Sequence, residues 1–222
     1  MSTYIFMKVL ESTPSRYDRG ISILTLGRLG RAYNRLMSYI KNGQRVLDIG
    51  CGTGAMTLRA ARKGAMVKGI DINPQILEIA RQKAAQAGLT QNLDLVEMGV
   101  AEIGSEESAS YDAVMSGLCF SELTEGEVTY ALKEVKRVLK PRGLLLVADE
   151  VIPRSIAMRL VTWLARLPLV IITYLITQTT SSAVRDLPAK VRKAGLSIES
   201  ISLSKMQDFM EMVAKKPDEK AR

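Results

Sequence analysis

Val46-Leu47-Asp48-Ile49-Gly50-Cys51-Gly52-Thr53-Gly54 decides the reading of this chain. A short β-prone run, Arg45–Ile49, ends in alternating glycines, and a helical stretch, Ala55–Lys63, follows at once. Glycine adopts backbone angles closed to other residues and lets a ligand approach the main chain. The helix start adds N–H groups without intrahelical partners and a positive potential. A strand–loop–helix unit of this kind belongs at the carboxyl end of a parallel sheet, where open α/β folds bind nucleotide-like ligands.

The pattern on either side agrees. Further strands are expected at Val67–Ile72, Leu93–Met98, Tyr111–Ser116 and Leu144–Asp149, with helices at Pro74–Ala87 and Glu125–Leu139. Pro74 stands in the first turn of its helix and Gly88 just past its end, while Pro141 and Gly143 stop the other. Leu144–Asp149 is almost wholly apolar, as befits a strand buried on both faces. A helix over Pro188–Ala194 and two closing strands, Leu196–Leu203 and Phe209–Ala214, complete the series. Alternation of strand and helix implies βαβ crossovers. The expected fold is α/β: a doubly wound, Rossmann-like, seven-stranded, mostly parallel sheet with an antiparallel final hairpin. A single domain is expected over residues 1–222, with an N-terminal helical cap at 1–41 and an apolar insertion at 154–180.

Composition narrows the chemistry. The chain of 222 residues is 47% hydrophobic and 24% charged, enough for a full core without disulfide or metal staples. It contains no histidine, which removes Ser-His-Asp triads, Cys-His dyads and His-ligated metal sites. The two cysteines, Cys51 and Cys119, form no CxxC pair, so no metal site is expected and a reducing, cytoplasmic setting is the default. Lys and Arg outnumber Asp and Glu by 31 to 23, a net charge of +8. Aromatics are only 5% of residues, which gives no stacking platform for nucleic acid. Tyr4–Leu10 is too short, and too interrupted by Lys8, to be a signal peptide.

Two acids discriminate among ligands. The loose dinucleotide fingerprint Gly50-x-Gly52-x-x-Ala55 is weak by itself. Asp48 would repel a pyrophosphate and attract a cation, which disfavours NAD and suits S-adenosylmethionine with its sulfonium and ammonium. At ~4 Å the attraction is about 1 kcal/mol in water and several-fold more in a partly dry cleft. Asp71 ends the second strand 21 residues beyond Gly50, the distance at which an acid accepts ribose hydroxyls.

At VLDIGCGTG (46–54), GIDINP (69–74), YDAVMSGLCFSEL (111–123) and LKPRGLLLVADE (139–150) the sequence resembles the class I S-adenosylmethionine-dependent methyltransferases. That resemblance implies a cofactor held by Asp48, Gly50, Cys51, Gly52 and Gly54 around its methionine part. It also implies Asp71 at the ribose, Ile72 beside the adenine, and Gly117 at the end of the fourth strand. In quinone-type relatives the third strand is followed by Gly-Asp-Ala, whose acid binds the adenine amino group. Here the run is Gly99-Val100-Ala101-Glu102, so that acid is missing and the N–H of Val100 or Ala101 is left for the adenine. Glu102 reads as a solvated loop acid. Arg16-Tyr17-Asp18 resembles the pre-domain helix whose tyrosine closes over the cofactor, which makes Tyr17 a candidate. ESTPSRYDRGI (11–21), SGLCFSELTEGE (116–127), ADEVIP (148–153) and LVIITYLITQTT (169–180) are similar to the corrinoid-protein-associated methyltransferases of methane-forming archaea. That likeness implies a corrinoid protein as partner without naming a substrate.

Methyl transfer is an in-line displacement, and a base is needed only where the acceptor must lose a proton. Without histidine, the candidates are Glu122 after the fourth strand and Asp149 and Glu150 at the end of the fifth. A small, apolar or cofactor-like acceptor is expected; the alternative from outside the enzymes is a non-catalytic, S-adenosylmethionine-sensing partner of a corrinoid protein. Between Ile156 and Ile176 the only charges are Arg159 and Arg166, and Pro168 interrupts the run, so a spanning helix is disfavoured. Three readings compete for 156–176: a lid over the acceptor, a homodimer face, and a peripheral membrane contact on anionic lipid. The lid is favoured.

Overall fold

The computed structural model describes residues 28–152, 186–205 and 207–218. Tyr17, residues 1–27 of the expected cap and the whole insertion at 154–180 lie outside the described residues. Helix α1 (Arg28–Leu36) and a 3-10 turn (Met37–Tyr39) precede β1 (Arg45–Ile49). There follow α2 (Thr57–Arg62), β2 (Met66–Asp71), α3 (Pro74–Gln86), β3 (Leu93–Glu97) and β4 (Tyr111–Gly117). The chain ends in α4 (Glu125–Val138), β5 (Leu139–Glu150), α5 (Leu187–Lys193), β6 (Ser197–Leu203) and β7 (Phe209–Lys215).

The strands form one seven-stranded sheet in the order β3-β2-β1-β4-β5-β7-β6. The first five are parallel, and β7 runs antiparallel to both β5 and β6. This is the fold expected from the sequence. The chain moves outward from β1 to β3, then returns to lay β4 on the other side of β1. Strand order therefore reverses between β1 and β4, the point at whose carboxyl ends open α/β sheets take their ligands.

Alternation along the central strands feeds two cores. Leu47, Ile49, Val114, Leu145 and Val147 pack on one side with Phe120, Leu132, Val135 and Val191. Val46, Ala113, Met115, Leu146 and Ala148 pack on the other with Leu29, Tyr33, Leu36 and Ala60. Leu47, Leu132, Leu145 and Leu146 are fully buried, each contributing about 1.5–3 kcal/mol. Among the described residues no helix is long and apolar enough to cross a membrane.

Local signals fix the helix ends. The Asn73 side chain accepts hydrogen bonds from Gln75 N–H (3.0 Å) and Ile76 N–H (3.3 Å), with Pro74 opening the helix. Thr124 and Glu127 form a reciprocal capping box at α4. Two boundaries differ from expectation by more than one residue. Helix α2 starts at Thr57 rather than Ala55, because Gly54 is left-handed (φ 82°) and the loop continues past it. Strand β5 starts at Leu139, since that residue pairs with Tyr111 before a register irregularity leads on to the Ala113–Leu144 pair.

Candidate active site

The loop from β1 to α2 turns through three left-handed glycines: Gly50 (φ 66°), Gly52 (φ 53°) and Gly54 (φ 82°). A Cβ on Gly50 would lie 2.5 Å from Cys119 Cβ and 2.6 Å from its Sγ, so β4 and the loop approach closely here. A Cβ on Gly54 would meet Leu58 at 3.3 Å and Ala80 at 3.4 Å, which makes that glycine a packing requirement. Cys51 is buried, and its N–H donates to the Ile70 carbonyl (3.0 Å). Burial pushes the Cys51 thiol well above its ordinary pKa, aided by Asp48 and Asp71.

Asp48 behaves differently from its sequence reading. It is 1% exposed, and its carboxylate accepts a hydrogen bond from Thr57 Oγ1 (2.6 Å). Burial raises its pKa to about 7, opposed by the bonds from Thr57. Near neutral pH the group is therefore only partly charged, and it faces the first residue of α2. Its place is that of a pin joining β1 to the start of that helix.

Asp71 is the acid that meets the loop. Its carboxylate accepts from Gly52 N–H (2.9 Å) and Asn73 N–H (3.0 Å). Burial raises its pKa, while hydrogen bonds from the Asn73, Gly52 and Ile72 amides pull it down. It does not cap the following helix, because Asn73 does. Beside it Ile72 is 75% exposed, an unusual position for a large apolar side chain. A Cβ on Gly99 would lie 3.4 Å from Ile72 Cγ2, so the two line one shallow apolar surface. Val100 and Ala101 begin a 3-10 turn (Val100–Ser105). Glu102 is exposed, as expected of a loop acid, and its Oε2 also accepts from Gly99 N–H (2.7 Å), which caps the turn.

The other wall is the end of β4. Gly117 is followed by Leu118, whose φ of 62° places a bulky residue in the left-handed region at a cost of about 1–2 kcal/mol. That kink carries Cys119 over Gly50. The Cys119 thiol is raised by burial first, then by the charges of Glu122, Asp149, Asp71 and Asp48. Four carboxylates thus converge electrostatically on one thiol, in a chain of net charge +8. Among them Glu122 is exposed. Asp149 has no solvent exposure. Its oxygens accept from Glu150 N–H (2.7 Å) and Ser121 N–H (3.3 Å), and burial raises its pKa to about 7. Glu150 is 5% exposed. Of the three proposed bases, only Glu122 faces solvent, whereas Asp149 anchors the turn that presents it. Ser116 Oγ is fully buried with no hydrogen-bond partner among the described residues.

Three residues at the crevice carried no sequence signal. Tyr33 of α1 reaches Gly117, whose Cβ would lie 2.5 Å from the phenol Oη and 3.0 Å from Met56 Sδ. Arg59 of α2 stacks on the Tyr33 ring, 5.8 Å from its centroid. Among the described residues no group of three or more Asp, Glu or Cys side chains is placed to hold a metal ion.

Comparison with known proteins places this geometry. Residues 46–143 match the family described as a methyltransferase domain. This stretch is similar to a methyltransferase domain, and it makes up less than half of the chain. Its span runs from β1 to the turn inside β5, and includes the glycine loop, Asp71 and the end of β4. The chain is 32% identical over 151 residues to the demethylmenaquinone methyltransferase of Tropheryma whipplei, covering 66% of this chain and 59% of that protein. It therefore spans less than two thirds of that relative. Among solved structures, a SAM-dependent methyltransferase from Methanosarcina mazei aligns with TM-score 0.65 at 22% identity, over 83% of this chain and 98% of that one. The cyclase SpnF aligns with TM-score 0.68 at 19% identity, over 85% of this chain and 80% of its own. At these identities the likeness to the solved structures is one of fold.

The described residues fit S-adenosylmethionine. The loop turns through left-handed glycines, two of them too crowded for a Cβ, Asp71 would offer a carboxylate to a diol, and exposed Ile72 beside Gly99 would offer an apolar face to a base.

Proposed function

We propose that the chain is an S-adenosylmethionine-dependent methyltransferase acting on a small, apolar or cofactor-like acceptor of the quinone class. The observation that carries this reading is Asp71. Its carboxylate joins the glycine loop through Gly52 N–H, beside an exposed Ile72 that no packing need explains. S-adenosylmethionine supplies an activated methyl group. Gly50, Cys51, Gly52 and Gly54 hold its methionine part, Asp71 the ribose, and Ile72 with Gly99 and the Val100 or Ala101 amides the adenine. Gly117 ends the strand beside the loop, and Asp48 acts through the loop it pins. Glu122, solvent-facing at the mouth, takes the acceptor proton where one must be lost. Asp149 and Glu150 hold the turn that presents it.

The acceptor class is supported by the demethylmenaquinone methyltransferase likeness and by the apolar composition of 156–176. On this reading the protein is cytoplasmic and its residues form a single domain. A corrinoid protein as partner is the finer alternative, supported by the resemblance of 11–21, 116–127, 148–153 and 169–180 alone. Calorimetry with S-adenosylmethionine and with NAD tests the cofactor. Transfer of labelled methyl into an organic-soluble extract, compared with transfer in the presence of a corrinoid protein, tests the acceptor. Binding of NAD without S-adenosylmethionine would refute the function, and label entering only the corrinoid arm would replace the quinone class.

A further inference from the structure

Helix α1 touches both walls of the crevice. On the loop side, Arg59 Nη1 donates to the Ala55 carbonyl, which follows the last glycine of the loop. The same guanidinium donates from Nε to Asn34 Oδ1 (3.0 Å) and lies over the Tyr33 ring. Gly30, one turn earlier on α1, leaves room for it: a Cβ there would be 3.8 Å from Arg59 Nη2. On the β4 side, the Tyr33 phenol rests on the bare Cα of Gly117, with Met56 of the loop packed beside it. Tyr33 is 5% exposed and Met56 2%, so both are fixed by packing. Ser116 is in register with Ile49, which sets Gly117 opposite Gly50.

We infer that Tyr33 and Arg59 form a clamp through which the docking of α1 sets the width of the methyl-donor crevice, and that both are positioning residues for the donor. The inference rests on the methyltransferase reading above. Arg59 suits this task because its planar fork serves the Ala55 carbonyl, the Asn34 side chain and the aromatic face together. A lysine reaches one of these acceptors at a time. Glycine at 117 suits it because any side chain there would push the phenol away and spread the two walls.

The test is calorimetric titration of the full chain with S-adenosylmethionine. Wild type is compared with Arg59→Met, Arg59→Lys, Tyr33→Ala, Gly117→Ala and the double variant Gly117→Ala/Tyr33→Ala. Circular dichroism establishes the folded fraction to which each affinity refers. Loss of the clamp is expected to weaken binding about tenfold in Arg59→Met and less in Arg59→Lys, the size of one or two net hydrogen bonds. Gly117→Ala is expected to weaken binding as well, and Tyr33→Ala in the same chain to recover part of that loss. A merely structural role would lower the melting temperature of Arg59→Met while leaving the affinity per folded molecule unchanged, and that result overturns the clamp. Additive effects in the Gly117 and Tyr33 pair overturn it too. Failure of wild type itself to bind S-adenosylmethionine would instead refute the methyltransferase reading, and the clamp with it.

Discussion

Gly50→Ala asks the most of the crevice. Two costs can be worked from the structure. Alanine at φ 66° costs about 1 kcal/mol more than glycine. Its methyl would stand 2.5 Å from Cys119 Cβ and 2.6 Å from Sγ, and overpacking of that kind costs about 1–3 kcal/mol. The expected loss is about 2–4 kcal/mol, or roughly 4–16 °C in melting temperature for a chain of this size. Cys119→Gly removes both colliding atoms but leaves the backbone cost. The double variant Gly50→Ala/Cys119→Gly is therefore expected to be more stable than the sum of the single effects by about 1–3 kcal/mol. Thermal unfolding of the four proteins measures this coupling. A Gly50→Ala protein as stable as wild type, or effects that add within about 0.5 kcal/mol, would refute the close approach of loop and β4.

Three further outcomes follow from the site. Ile72→Ala should leave stability within about 0.5 kcal/mol, since the side chain is 75% exposed, yet weaken S-adenosylmethionine binding several-fold by calorimetry. Equal affinity would remove Ile72 from the adenine surface. Glu122→Gln should lower turnover without changing cofactor affinity, and turnover that persists over the whole pH range would deny Glu122 a proton-transfer role. Asp48 is held near pKa 7 by burial against about 3.9 unfolded, so its neutral form favours the folded state. The stability it contributes is present in full below about pH 4 and is lost as pH rises toward 7, with a slope of up to about 1.4 kcal/mol per pH unit. Asp48→Asn should flatten that part of the melting-temperature profile, and unchanged slopes between pH 5 and 7 would count against the assignment.

The sheet was legible because the central strands are apolar on both faces and their punctuation is local: Asn73-Pro74 opens α3, and Thr124 with Glu127 opens α4. The glycine loop and Asp71 were legible for a similar reason, since a left-handed turn and an acid at a strand end leave few other uses. What escaped needed distant partners. Asp48 has the composition of a ligand group, but its direction is set by Thr57, nine residues on, once α2 folds back. Glu102 stands three residues after Gly99, the spacing at which an acid reaches back to an N-cap amide, and that signal could have assigned it to its turn. Leucine has no intrinsic taste for positive φ, so the kink at Leu118 left no mark in the sequence. Tyr33 and Arg59 meet only because α1 packs beside α2, and the one trace of it is the small residue at Gly117.

The bond from Gly52 N–H to Asp71 has a consequence for how quickly the crevice fills. The same carboxylate that would grip a sugar already holds the loop in its turned shape. The entropy of ordering that loop is met during folding, so little of it is charged to ligand capture. A newcomer has only to share an acceptor whose lone pairs are partly engaged, a local exchange without backbone rearrangement. Association should then be a single fast phase in stopped flow, its rate rising linearly with ligand concentration and showing no plateau.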